Sequence, residues 1–372
     1  MFLVTEDWYF WAHRLPQARA ARDAGFAVSV ATRVDAHGER IRAEGFALHA
    51  LTWRRGSANV FAALAAIREI AALYRREKPD LLHHVSQKPI LIGSIAARLA
   101  GRRRVVNALT GLGFAFAAKT FKARAIRACL VFALRLAASH TGIRFLVENP
   151  DDGALLRRLG IVPPDRVILI RGSGVDLARY DPLPEPPAPP VVIGCATRML
   201  RIKGVAELVA AFRRLRLDDG AAVLLLAGAS DPENPASIPA AQLRAWAAEP
   251  GIVWIGHVED VRTLWRRAHI AALASQGGEG IPMSLMEAAA CGRPLVATDV
   301  AGCREIVVEG ETGLLVPPGD IDALAAALRR MIDDPALRSR RGLNARLRVA
   351  GGMDAATVGR RTVDVYLALL TA

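Results

Sequence analysis

Short apolar runs alternate with stretches of helical period along almost the whole chain. Val191–Ala196, Val223–Ala227, Ile252–Ile255, Ile270–Leu273 and Pro294–Ala297 carry few polar residues, the pattern of strands buried on both faces. Nearer the amino terminus, Phe26–Thr32, Phe46–Leu51, Leu81–Val85, Arg104–Ala108 and Ile143–Val147 read the same way, and a first strand begins with Met1 itself. Helical patterns lie between them, as in Ala58–Arg76 and Pro89–Ala100. This alternation predicts βαβ units and parallel sheets covered on both faces. It breaks at residues 182–190, PLPEPPAPP, where prolines too dense for helix or central strand predict a semi-stiff spacer. The expected organisation is an α/β domain at 1–181, the spacer at 182–190, a second α/β domain at 191–353, and a helix at 354–372 that returns to the first domain. The carboxyl ends of both sets of strands are expected to face a central cleft.

One helical stripe stands apart. Ala118, Phe121, Ala125, Ala128, Phe132 and Leu136 recur at three- and four-residue steps, while Lys119, Lys122, Arg124, Arg127 and Arg135 fall off that line. Two readings stay open: a surface resting on anionic lipid, or an ordinary amphipathic helix packed on its own sheet.

Charge sharpens the first reading. The chain of 372 residues has a net charge of +13, and all of the excess lies in the first 150 residues, with 23 Lys/Arg against 10 Asp/Glu. Residues 151–372 hold 26 of each. A one-sided basic half points to nucleic acid, an anionic membrane surface or an anionic ligand. No apolar run reaches the roughly eighteen residues that a membrane-spanning helix needs. The start, MFLVTED, has no basic flank of a signal peptide. Four cysteines (Cys129, Cys195, Cys291, Cys303) form no CxxC pair and no metal-ligand spacing, which suits buried thiols in a reducing compartment. The expected location is cytoplasmic, peripheral on the inner face of the cell membrane.

The chemistry concentrates in GEGIPMSLMEAAACGRP, residues 278–294, which sets two glutamates eight residues apart. Pro282 suits a helix start, and the helix is predicted over Met283–Ala290, ending at Gly292 with Pro294 beyond. Glu279 then lies in the preceding loop and Glu287 in the second turn. Free backbone N–H groups at Met283 and Ser284 offer a seat for phosphate. Gly277, Gly278 and Gly280 let a ligand approach the backbone, and carboxylates accept from sugar hydroxyls. A glycosidase pair is a competing reading, although Glu287 in an alanine-rich helix is poorly placed to shuttle protons. A capping glutamate beside a salt-bridged one is the purely structural alternative.

CATRMLRIKG, residues 195–204, follows a strand and opens a helix at Val205. Arg198 and Lys203 at this turn suit a diphosphate clamp, Arg by its planar fork and Lys as a point charge. Alone, such a turn equally describes a solvated basic loop.

Taken together, Glu279-x7-Glu287 preceded by Arg198-x4-Lys203-Gly204 resembles glycosyltransferase family 4. The likeness is strongest from Thr197 to Pro318 and includes GCREIV at Gly302–Val307. The resemblance implies the GT-B fold: two Rossmann-like domains with parallel sheets facing a central cleft. It further implies retaining transfer from a nucleotide sugar, usually UDP-linked, with no cofactor and no divalent metal. By position, Arg198 and Lys203 would hold the diphosphate and Glu287 the ribose hydroxyls. Glu279 would contact the donor sugar, helped by the backbone of Gly280, Ile281, Pro282 and Met283. EDWYFWAHRLP at Glu6–Pro16, HHVSQKP at His83–Pro89, NALTGLGF at Asn107–Phe114 and RGSGVD at Arg171–Asp176 resemble a bacterial subset that builds surface polysaccharides (O-antigen, capsule or exopolysaccharide). That subset works on a polyprenyl-diphosphate-linked saccharide. Basic residues including Lys119, Lys122, Arg124 and Arg127 would then meet the acceptor and an anionic membrane surface.

The chain departs from the family pattern in two places. Asp7-Trp8-Tyr9 stands where many members have a Gly-Gly loop, and Thr110 where many have a histidine credited with a catalytic contact. His13 or His84 is the expected substitute; His37, His49, His140, His257 and His269 receive no role. A sugar-nucleotide epimerase or phosphorylase on the same fold is the nearest rival. A non-enzymatic nucleic-acid binder is a further one, and no nucleic-acid motif supports it.

Overall fold

The computed structural model describes residues 1–53, 59–111, 121–139, 142–215, 220–232 and 234–371, with side chains left undescribed for 121–126. The chain groups into two compact units: Met1–Gly174 with Gly278–Gly280 and Ala355–Ala372, and Val175–Gly277 with Ile281–Asp354.

The first unit is built on seven parallel strands: β1 (Phe2–Glu6), β2 (Ser29–Arg33), β3 (Ala47–Ala50), β4 (Leu82–Val85), β5 (Val105–Leu109), β6 (Ile143–Val147) and β7 (Val167–Leu169), ordered β3-β2-β1-β4-β5-β6-β7. Strand alternation sends Leu3 to one face and Phe2 and Val4 to the other. Leu3 joins Ile70, Tyr74, Ile90 and Phe145; Phe2 and Val4 join Phe10, Ile41 and Tyr366. Both faces are therefore covered, which explains why these strands read as unbroken apolar runs. Tyr366 belongs to the closing helix Ala355–Thr371, which packs on the helix Leu15–Asp23 of this unit and joins its hydroxyl to His83 Nδ1.

The second unit has six parallel strands: β8 (Val191–Ala196), β9 (Ala222–Ala227), β10 (Ile252–Trp254), β11 (Ile270–Leu273), β12 (Leu295–Thr298) and β13 (Gly313–Val316), ordered β10-β9-β8-β11-β12-β13. Ile193, Leu224 and Ile270 fill the core on one face; Leu225, Ala271 and Leu295 fill the other. Burying each such leucine or isoleucine contributes about 1.5–3 kcal/mol. The sheet order reverses between β8 and β11. In open parallel sheets that crevice, beyond the strands' carboxyl ends, is where ligands bind.

The proline-rich stretch does not behave as the expected spacer. The Leu183 N–H donates to Cys291 O at 3.1 Å, Arg293 Nη2 to Pro184 O at 2.7 Å, and Arg338 Nε to Glu185 Oε1 at 2.6 Å. His269 Nε2 lies 3.0 Å from Pro186 O, while its Nδ1 accepts from the Val192 N–H at 2.9 Å, so the proton sits on Nε2. Buried Arg293 meets the Pro184 carbonyl that no strand pairs, buried Arg338 meets the Glu185 carboxylate, and the stretch becomes part of the second unit. The change of unit falls earlier, at Gly174–Val175.

The basic helix runs Phe121–Ala137. Its inner face is Leu134 and Ala137, joined by the partly buried Leu130 and Val131. Phe132 is 71% exposed and Leu136 46%, and Ala128 is exposed too. The apolar stripe therefore faces away from the sheet at the positions described, and its packing on its own core is ruled out there. Arg127 is half-buried on this helix, whereas Ala118, Lys119 and the side chains of Phe121, Lys122, Arg124 and Ala125 lie outside the described residues. Among the described residues no helix is long and apolar enough to cross a membrane.

Candidate active site

The cationic turn and the acid-flanked helix leave from adjacent strands of the second unit. β8 pairs with β11, so the segments after Ala196 and Leu273 begin side by side at the carboxyl edge. The Gln276 N–H donates to Ile202 O at 2.8 Å and ties the two segments together. Gly204 completes the junction. Its φ is +70°, and a Cβ there would lie 1.7 Å from the Ala274 carbonyl oxygen, so no other residue fits.

Arg201–Lys203 form a 3-10 turn, and the helix Val205–Arg214 follows with Gly204 at its N-cap. Arg198 is exposed, its guanidinium 3.9 Å from Asp231 at the described geometry; Lys203 is half-buried. Lys203 therefore stands at the start of the helix Val205–Arg214, and Arg198 in the segment between β8 and the 3-10 turn.

The predicted helix Met283–Ala290 is present with those limits. Pro282 occupies the N-cap rather than the first turn, and no side chain caps this end. Pro282 O accepts the N–H groups of Leu285 at 3.1 Å and Met286 at 3.2 Å. Those of Met283 and Ser284 precede that ladder, as a phosphate seat requires. Upstream, Thr298 Oγ1 donates to Ser275 O at 2.5 Å and Ser275 Oγ accepts from the Gly277 N–H at 3.3 Å, which fixes the loop entering the site.

Glu287 is partly accessible yet closely surrounded. Burial pushes its carboxyl up to about 7, against a hydrogen bond from Tyr180 and the charge of Arg179, which pull it down. Near neutral pH it changes protonation easily, and in the ionised form it accepts from hydroxyl donors. Glu279 lies among Gly278–Gly280, which pack with the first unit. There the Gly280 N–H donates to Thr110 O at 3.1 Å, and a Cβ on Gly280 would lie 2.0 Å from Glu148 Oε2. Ile281 is buried and belongs to the second unit's core.

In the first unit the helix Asp7–His13 follows β1 without a loop. Asp7 is fully buried and accepts the N–H groups of Trp8, Asp35 and His37 at 2.7, 2.7 and 2.9 Å. The residue that replaces the family's Gly-Gly loop thus has a structural task. His13 ends this helix, half-buried, its ring 4.4 Å from that of Tyr9. His84 fits no proton transfer: it is fully buried, with Nδ1 3.0 Å from Asn107 Oδ1 and Nε2 3.1 Å from Tyr74 Oη. Burial lowers its pKa to about 3, so it stays neutral, and the substitute role considered for it is withdrawn. Thr110 Oγ1 and Ser86 Oγ are 3.0 Å apart, and Ser86 holds φ 74°, ψ 165°, a region almost reserved for glycine.

Two arrangements escaped the sequence. One is Tyr180 on Glu287. The other is the buried pair Arg14–Glu148 at 2.9 Å, with Arg14 also 3.4 Å from Ser173 Oγ. No local spacing links residues this far apart in the chain.

Two parallel-sheet units of this strand order define a doubly wound α/β architecture, and the comparisons with known proteins give its family. Residues 1–141 match the family described as glycosyl transferase 4-like, and residues 190–334 match glycosyl transferases group 1. The chain belongs to glycosyltransferase family 4 and has its GT-B fold. Glycogen synthase of Mycobacterium tuberculosis is 34% identical over 202 residues, 54% of this chain and 48% of that protein, so the match spans about half of that relative's length. The N,N'-diacetylbacillosaminyl-diphospho-undecaprenol alpha-1,3-N-acetylgalactosaminyltransferase of Campylobacter jejuni is 25% identical over 347 residues, 89% of each chain. Among solved structures, Anabaena HepE in complex with UDP and glucose has a TM-score of 0.78 and 18% identity, covering 99% of this chain and 98% of that one. At this identity the structural likeness concerns the fold alone.

Proposed function

We propose that the protein transfers a hexosyl or N-acetylhexosaminyl group from a nucleotide sugar, with UDP as the favoured carrier, onto a polyprenyl-diphosphate-linked saccharide with retention. The observation that supports the reading is that the turn bearing Arg198 and Lys203 follows β8, the helix start at Met283 follows the neighbouring strand β11, and the Gln276 N–H to Ile202 O bond ties the two segments, with Glu287 one turn further on. This set offers fixed charge and N–H donors for a diphosphate, and an acceptor for ribose hydroxyls.

In this mechanism the bond between the sugar's anomeric carbon and the diphosphate oxygen breaks as the acceptor oxygen bonds to the same face of that carbon. Negative charge grows on the leaving diphosphate, where Arg198, Lys203 and the N–H groups of Met283 and Ser284 stabilise it. Donors placed before the reaction need no reorganisation during it. The acceptor's proton passes to the departing phosphate oxygen, so the step balances without a separate base. Glu279 contacts the donor sugar, and His13 is the remaining histidine candidate for an acceptor contact.

Three features support a lipid-linked acceptor on a membrane surface. The first unit has a cavity of about 260 Å³ lined by Trp53, Ala62, Ala66 and Lys88, with the Lys88 ammonium 5.7 Å over the Trp53 ring. An apolar slot with a cation suits an amphiphilic anion. Beside it Val60 and Phe61 are 69% and 80% exposed, and the outward stripe of Phe132 and Leu136 lies on the basic half of the chain. The name of the Campylobacter relative describes a diphospho-undecaprenol acceptor. These features support a location at the cytoplasmic face of the membrane.

Purified protein, a panel of UDP-sugars and a short-chain polyprenyl-diphosphate saccharide test the reading. One donor should yield an extended lipid-linked product with the donor's anomeric configuration kept. Donor consumption yielding an isomeric nucleotide sugar, in place of an extended product, would support the epimerase reading.

A further inference from the structure

The carboxylate that faces the proposed ribose site has a partner outside the sequence motifs. Tyr180 is 6% exposed, and its hydroxyl donates to Glu287 Oε1 at 2.8 Å. The segment bearing Tyr180 is itself held. Asp176 Oδ1 accepts the N–H groups of Ala178 and Arg179 at 3.0 and 3.2 Å, and Arg262 Nη1 donates to Arg179 O at 3.0 Å. Arg346 donates to the carbonyls of both Tyr180 and Ala290, which ties the tyrosine's backbone to the end of the helix that carries Glu287. The Arg179 guanidinium lies 5.5 Å over the Tyr180 ring and 3.8 Å from Asp260. The phenol is thus aimed from several sides.

A carboxylate that accepts one fixed hydrogen bond keeps its second oxygen in a fixed direction. We propose that Tyr180 is a positioning residue: it holds Glu287 through Oε1 so that Oε2 is presented to the ribose hydroxyls, and it thereby sets the preference for a ribonucleotide over one lacking those hydroxyls. The inference rests on the reading of Glu287 as the ribose acceptor. It adds a residue from another part of the chain, and a specificity that the Glu279–Glu287 motif alone does not give.

The hydroxyl also favours the ionised form of Glu287, together with Arg179 and against Asp260. Removing it should therefore raise the pH at which Glu287 becomes a full acceptor. A purely structural tyrosine would move neither this midpoint nor the ligand ratio.

The experiment is calorimetric titration of the full chain with UDP and with 2′,3′-dideoxy-UDP, from pH 6 to 9, for the wild type, Tyr180→Phe, Glu287→Gln and the double variant. The wild type should prefer UDP. Tyr180→Phe should lose about tenfold on UDP and little on the dideoxy ligand, the scale of one hydrogen bond to a charged group. Its affinity midpoint should move to higher pH. The double variant should discriminate no worse than Glu287→Gln, because the tyrosine acts through the glutamate. Equal losses on both ligands, an unmoved midpoint, or additive effects in the double variant would each overturn the inference. A folded wild type that binds no UDP would instead overturn the donor reading, and one that binds both ligands equally would overturn the ribose role of Glu287.

Discussion

Arg14 and Glu148 form an ion pair at 2.9 Å with side chains only 4% and 9% exposed. Glu148 Oε2 also occupies the space that a side chain on Gly280 would need. The pair therefore sets the surface on which the Gly278–Gly280 segment rests, next to the Thr110 carbonyl that holds it.

Removing one partner leaves a buried charge unmatched. Arg14→Ala should destabilise the protein by about 3–5 kcal/mol, read from chemical denaturation. The double replacement Arg14→Met with Glu148→Leu should cost clearly less. Equal losses would show that the charges contribute little to one another.

Gly204→Ala tests the junction between the two site segments. The added Cβ would meet the Ala274 carbonyl at 1.7 Å, and the left-handed φ of +70° alone costs about 1 kcal/mol or more. Thermal denaturation should show a drop of several degrees. Gly25→Ala is the comparison, at φ +91° with nothing within 4 Å of the new methyl group. It should lose less, since strain remains there without a clash.

Glu287 makes stability depend on pH in a stated direction. Its folded-state pKa of about 7 exceeds the ordinary 4.5, so between these values the native state holds a proton that the unfolded chain has released. The Glu287 contribution to stability therefore falls as pH rises from about 4.5 to 7. Glu287→Gln should flatten that part of the pH–stability curve. Binding runs the other way: nucleotide affinity should rise across neutrality as the carboxylate ionises. A flat affinity profile from pH 6 to 8 would contradict this.

Much of the fold could be read from residue pattern. Strands buried on both faces leave unbroken apolar runs, and β6, β8 and β11 lie where those runs lie. β7 escaped because it has three residues, and β13 because it opens on Gly313, where a Cβ would lie 2.1 Å from Leu295 O. The helix Met283–Ala290 was legible from its glycine and proline boundaries. The bond from Tyr180 to Glu287 was not, because it joins residues 107 apart through tertiary packing. The proline-rich stretch misled for a related reason: its composition describes the free chain, whereas the arginines that bind its Pro184 carbonyl and Glu185 carboxylate come from elsewhere in the sequence. Periodicity found the stripe at Phe132 and Leu136 but carries no information on which side of a helix meets the sheet.

That stripe yields a further prediction. Phe132→Glu with Leu136→Glu should leave thermal stability little changed, because Phe132 is 71% exposed and Leu136 46%. Co-sedimentation with vesicles rich in anionic lipid should fall several-fold. Undiminished binding would place the membrane contact elsewhere.

The account depends most on the grip of the second unit on a sugar diphosphate, and Lys203→Ala probes it directly. Calorimetry with a broad set of UDP-sugars should show binding by the wild type to at least one donor, and a loss of about tenfold or more in the variant, as expected for a charge-assisted contact. A folded wild type that gives no heat with any donor, or a variant that binds as tightly as the wild type, would contradict the account.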